Sequence, residues 1–198
     1  EESLLAIGSG LVVRVGEAVE VLESLIAEHK VGKVWSHRET GNGLSYQRDV
    51  AVARALRDKG IPWEEFDQHG VVRRLKNRDG WAARWTALMK KPKAPPPTSV
   101  EHATAIHPKP LPTLASLGLP PSERTQAQLG GENLALACLE SFLSKRGEGY
   151  REAMSSPVTA EDACSRLSMY LAYGTVSVRT VYQAREERRQ ELKQLRAN

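Results

Sequence analysis

Cysteine, aromatic side chains and long apolar runs are all scarce in this 198-residue chain. Two cysteines, Cys138 and Cys164, cannot build a disulfide framework and show no metal-ligand spacing. They point to a reducing compartment, and a cytoplasmic location is expected. No apolar run approaches the ~20 residues that a membrane-spanning helix needs, so no membrane partner is expected. No glycine-rich loop follows an apolar strand. Gly8 and Gly10 precede one instead, so they read as a turn and not as a dinucleotide fingerprint. His69, His102 and His107 have no spacing for a metal or a catalytic triad. What remains is ordinary for a soluble globular chain, 40% hydrophobic and 26% charged. The net charge of +4 permits an anionic partner such as DNA without requiring one.

The first half alternates strand and helix signals. Glu1–Ile7 reads as the tail of a helix, Leu11–Arg14 as a strand, and Gly16 opens a helix with Val19, Leu22, Leu25 and Ile26 at helical spacing. Val31–Trp35 predicts a second strand, and Tyr46–Lys59 a second helix with Val50, Ala53 and Leu56 facing inward. Ile61–Phe66 predicts a third strand. This is the rhythm of a parallel sheet, though it enters that rhythm abruptly, as part of a larger domain would. Trp81, Trp85 and Leu88 predict an amphipathic helix. Residues 92–122 hold nine of the eleven prolines and read as an extended linker. Gly130–Gly131 opens a helical part. It begins with Asn133–Lys145, whose apolar face would use Leu134, Leu136, Cys138, Leu139, Phe142 and Leu143. A final helix spans Val178–Leu195, with a charged tail that reads as a solvated face.

The most informative stretch lies inside this helical part. Tyr150 is followed by a polar, Pro-containing turn, then by Cys164-Ser165-Arg166-Leu167-Ser168 at a helix start. Leu171-Ala172-Tyr173-Gly174 and Ser177-Val178-Arg179 come next. Small hydroxyl residues at a helix start leave backbone N–H groups free to meet an anion, and Arg166 adds a forked cation. The pattern resembles the flavin-cradling segment of the DNA photolyase/cryptochrome family, which has a Tyr, about a dozen residues, a (T)SRLS run, and then a small-residue helix.

The resemblance implies a photolyase-like fold: an α/β class, with a partial parallel sheet and flanking helices, followed by an all-α segment. Residues 1–90 would be the later part of an antenna-type domain, 91–128 an interdomain linker, and 129–198 the start of the FAD-binding domain. It also implies FAD held by Tyr150, Cys164, Ser165, Arg166, Leu167 and Ser168. Leu167 would act through its amide, and Cys164 stands where many members have Thr. The implied activity of the parent protein is light-driven repair of pyrimidine dimers in damaged DNA. The alternative is a cryptochrome-type blue-light receptor of the same fold. An antenna chromophore of unassigned identity would sit by the loop Ser36–Leu44, at the carboxyl end of a strand. There Leu44-Ser45 replaces the Asn-Glu pair of some folate-binding members. Read from its residues alone, that loop is either a contact site through His37, Arg38, Glu39 and Asn42 or a solvated loop. Likewise Arg73–Arg78 with Trp81 and Trp85 is either a nucleic-acid patch or a solvated face over inward tryptophans. A chain cut from a larger protein would expose apolar surface and is expected to self-associate.

Overall fold

The computed structural model describes residues 2–101, 110–124 and 127–197. Two compact units emerge, one of Glu1–Asp67 with Ala94–Thr125 and one of Gln68–Lys93 with Gln126–Asn198. His102 and His107, with the rest of 102–109, lie outside the described residues.

The first unit contains helices α1 (Glu2–Leu5) and α2 (Ala18–Glu28), strand β1 (Val34–His37), helix α3 (Gly43–Asp58) and strand β2 (Trp63–Phe66). β1 and β2 pair in parallel, Val34 opposite Trp63 and His37 opposite Phe66, with α3 as the crossover. The start of α3 is fixed by Asn42, whose side chain accepts from the Ser45 amide at 3.1 Å. Its end is a glycine turn. Gly60 has φ +68°, its amide donates to the Arg57 carbonyl at 3.0 Å, and the Ile61 amide donates to the Leu56 carbonyl at 2.9 Å. Such a pair of bonds consumes the carbonyls a helix end would otherwise orphan. The proline-rich segment from Ala94 belongs to this unit, with the Val100 amide donating to the Ile7 carbonyl at 3.0 Å.

Leu11–Arg14 is not a strand, and among the described residues the sheet has two strands. An extended segment becomes a strand only when a neighbour receives its ladder bonds, and none of the described residues does so for this one. On α3 the buried stripe is Asp49, Val52 and Leu56, spaced i, i+3, i+7, whereas Val50 is 47% exposed. Asp49 can occupy that stripe because Arg48 pairs with it at 2.9 Å.

The second unit is all helical: α4 (Trp81–Lys90), α5 (Glu132–Ser144), α6 (Tyr150–Ala153), α7 (Pro157–Ala163), α8 (Ser168–Ala172) and α9 (Val178–Ala197). Helix α4 is amphipathic as predicted. The Trp81 and Trp85 indoles donate to the Gly70 and His69 carbonyls, each at 3.2 Å. The Trp85 ring meets Tyr182 of α9 edge-on at 5.5 Å, and the Gln183 side chain donates to the Met89 and Lys91 carbonyls, each at 2.9 Å. The core of the unit is Ala135, Leu139, Leu167, Tyr170 and Val176, flanked by Cys138, Leu143, Met169, Leu171, Val181 and Ala184. Leu134 and Leu136 were expected in the apolar face of α5 but are 44% and 41% exposed. The covered stripe is the narrow Ala135–Leu139 row. No described helix is long and apolar enough to cross a membrane.

Leu56 is 1% exposed, so Leu56→Ala is expected to lower unfolding free energy by about 2–5 kcal/mol. Val50→Ala should change it by less than about 0.5 kcal/mol. Urea titrations of the two variants check this, and equal losses would contradict the observed phase of α3.

Candidate functional site

The stretch between Tyr150 and Ser165, expected as a turn, is mostly helical. Ser156 caps α7 by accepting from the Val158 amide at 3.3 Å, and Pro157 occupies the first turn, where its missing N–H costs nothing. The helix ends at Cys164, which is extended (φ −75°, ψ 161°). Arg166 then takes φ +56°, in the left-handed region, and Leu167 returns to φ −87°, ψ −10°. Leu167 and Tyr170 are 4% and 5% exposed and plug the corner into the core. The Tyr170 hydroxyl donates to the Leu129 carbonyl at 3.0 Å, whereas Ser168 faces outward.

The carbonyls of this corner all point inward. Arg146 Nη1 donates to the Cys164 carbonyl at 2.5 Å and Nη2 to the Ser165 carbonyl at 3.4 Å. The Cys138 thiol donates to the Ser165 carbonyl at 3.2 Å, and the Gln128 side-chain amide donates to the Arg166 carbonyl at 3.2 Å. Among the described residues no peptide bond is cis, and in a planar trans peptide the N–H points opposite its C=O. The amides of Ser165, Arg166 and Leu167 are therefore turned away from those internal donors. Among the described residues, the N–H groups of Ser165 through Ser168 make no hydrogen bond. Successive free N–H groups around a left-handed residue form a concavity suited to an anion.

The predicted site residues are thus placed unequally. Ser165, Arg166, Leu167 and Ser168 form one corner, and Cys164 joins it through its backbone. Arg166 pairs with Glu161 at 2.9 Å, so that part of its charge is already met within the chain. Tyr150 is 45% exposed. Its ring meets Phe142 edge-on at 6.0 Å, and the Arg146 guanidinium lies 5.8 Å from the centre of that same Phe142 ring. Phe142 and Arg146 therefore link Tyr150 to the corner. Sequence reasoning missed Arg146, Gln128 and Cys138 in these roles. Only the close spacing of Arg146 to Tyr150 hinted at the first.

The other candidate loops are occupied with their own structure. In Ser36–Leu44, Arg38 pairs with Asp67 at 2.6 Å, Glu39 accepts from the Thr40 and Gly41 amides, and Asn42 caps α3. Trp81 and Trp85, flanking the basic run, are half-buried with both indole N–H groups bound inside the unit. Among the described residues no cluster of His, Cys, Asp and Glu could hold a metal ion.

A family model described as DNA photolyase matches residues 1–91. The deoxyribodipyrimidine photo-lyase of Halobacterium salinarum is 30% identical over 90% of this chain and 39% of its own length. The chain resembles the DNA photolyase/cryptochrome family over most of its length. A second relative in this family, cryptochrome DASH of Gloeobacter violaceus, is 28% identical over 91% of this chain and 39% of its own length. The archaeal photolyase of Sulfolobus tokodaii, solved with two FAD molecules, superposes with a TM-score of 0.63. It is 20% identical and is matched over 98% of this chain and 42% of that one. The photolyase-like fold is therefore shared, and the chain spans about two-fifths of the length of these curated relatives.

Gly147 lets the chain turn tightly beside Arg146. A Cβ there would lie 2.6 Å from the Phe142 carbonyl oxygen and 3.3 Å from its ring. Gly147→Ala is expected to cost about 1–3 kcal/mol through this overlap, seen as a lower midpoint in thermal melting. An unchanged midpoint would show that the end of α5 yields freely.

Proposed function

We propose that the corner at Cys164–Ser168, flanked by Tyr150, holds the diphosphate of FAD. The protein containing this chain would then be a flavin-dependent DNA photolyase acting on pyrimidine dimers in damaged DNA. One observation carries the reading: a row of free amide N–H groups stands at the positions where the family resemblance puts the flavin phosphates. The residues fit such a group. The N–H groups of Ser165, Arg166, Leu167 and Ser168 are donors without partners among the described residues, and the outward hydroxyl of Ser168 adds another. Leu167 contributes its amide while its side chain anchors the corner. Cys164 brings a thiol, a weaker donor than the hydroxyl of Thr. Arg166 offers the nitrogens of its fork that Glu161 does not engage. Tyr150 presents a half-exposed ring beside Phe142.

FAD in this site would supply the light absorption and one-electron chemistry. The chain's own part is to bind the diphosphate, fix its orientation and keep its donors aimed outward. In this reading residues 1–90 are the later part of the antenna-type domain, with a second chromophore of unassigned identity. Residues 91–128 are the linker and 129–198 the start of the FAD-binding domain. The cryptochrome reading keeps its place because identity to the cryptochrome relative, 28%, nearly equals that to the photolyase, 30%.

Two measurements test the proposal. Full-length protein loaded with FAD should reverse dimers in ultraviolet-treated DNA under blue light. Flavin binding without dimer loss would replace repair with the signalling reading. The double variant Ser165→Ala/Ser168→Ala should lose roughly tenfold or more in FAD affinity, the effect of removing hydrogen bonds to a charged group. Unchanged affinity would remove the Ser165 and Ser168 hydroxyls from the site, and FAD bound no more tightly than riboflavin by the unaltered protein would remove the diphosphate from this corner.

A further inference from the structure

We propose that Arg146 is the positioning residue of the phosphate corner, holding its peptide units so that their N–H groups face the ligand. This rests on the diphosphate reading above. Arg146 divides its donors between the corner and helix α5. Nη1 reaches the Cys164 carbonyl at 2.5 Å and the Asp162 carbonyl at 3.5 Å. Nη2 reaches the Cys138 carbonyl at 2.9 Å and the Ser165 carbonyl at 3.4 Å. Nε reaches the Ser141 hydroxyl at 3.0 Å. The planar fork thus ties the end of α5 to the two peptides whose N–H groups belong to Ser165 and Arg166. An ammonium on a flexible stem presents no such fixed fork, so lysine cannot reproduce the arrangement.

Charge supports the same assignment. Among the described residues Arg146 has no carboxylate partner, whereas Arg166, the cation the sequence motif displays, is paired with Glu161. The cation without an acid therefore stands behind the peptides. A donor of full positive charge on a carbonyl polarises the whole amide and strengthens the N–H at its other end as a donor. Arg146 acts on an anion through the Cys164–Ser165 and Ser165–Arg166 peptides and need not touch it. The Phe142 ring, 5.8 Å from the guanidinium and in edge contact with Tyr150, carries the same support to the flanking tyrosine.

The test separates phosphate positioning from general stability by comparing a flavin with the diphosphate and one without any phosphate. Full-length protein, stripped of flavin, would be titrated with FAD and with riboflavin by flavin fluorescence, as wild type, Arg146→Met and Arg146→Lys. Wild type is expected to prefer FAD. Both variants should lose about tenfold or more of FAD affinity with riboflavin affinity unchanged, so that the preference falls. Variants that keep the wild-type ratio of FAD to riboflavin affinity overturn the proposal, as do variants that lose both ligands in proportion. Should Arg146→Met fail to fold by circular dichroism, Arg146→Lys decides, because it keeps the charge and removes only the fork. Gln128→Ala leaves the Arg166 carbonyl with only its long Cys138 thiol contact of 3.9 Å and should lower the ratio less than either. A larger effect there would move the role away from Arg146. A wild type without preference for FAD overturns the diphosphate reading itself, and this proposal with it.

Discussion

Three consecutive carbonyls, those of Cys164, Ser165 and Arg166, are drawn into the helical unit by donors from elsewhere in the chain. Much of that unit is arranged to receive them. Helix α5 brings Cys138 and Ser141 to the back of the corner. Gly147 permits the close turn that places Arg146 there. Leu167 and Tyr170 fill the core from the corner's own side, and Tyr170 is tied down by its hydroxyl. Because each peptide is rigid, satisfying one end decides where the other points. The outward row of amides follows from an inward network of side chains.

The legible part of this arrangement was the pattern with local causes. The helices around Leu56 and Trp85 followed from apolar spacing, and the corner followed from hydroxyl residues and arginine at matched intervals. What was not legible depended on partners distant in sequence. Arg146 reaches residues 16 to 19 positions away, and nothing in a lone arginine announces which carbonyls it will bind. Leu11–Arg14 has the composition of a strand, but composition cannot supply a neighbouring edge. Val50 and Leu134 are apolar residues just off a buried stripe. Periodicity gives the repeat, and only the packing partner gives the phase. Arg166 carried the motif, yet its nearest acid sits five residues back, a pairing open to a helix end followed by a left-handed residue.

The positive balance of the chain says less about nucleic acid than its sum suggests. Arg188 and Arg189 in α9 pair with Glu191 and Glu186, and Arg185 pairs with Glu186 as well. Arg38 and Lys33 in the α/β unit pair with Asp67 and Glu64. The Lys33 ammonium holds the Glu64 carboxyl below its ordinary range, by hydrogen bond first and by charge second. Such exposed pairs contribute little stability, but they cancel local potential. Around these pairs the surface carries both signs side by side.

Position 164 shows where this framework tolerates variation. Cys164 is built into the corner by its amide, which donates to the Ala160 carbonyl at 2.9 Å, and by its carbonyl, which accepts from Arg146. Among the described residues its sulfur makes only a long contact of 3.6 Å, to the Glu161 carbonyl. The main chain there would keep its course with a threonine, a serine or a cysteine. Under the diphosphate proposal, substitution at this site would retune grip on a bound nucleotide while leaving the architecture unaltered, a degree of freedom open to drift or selection.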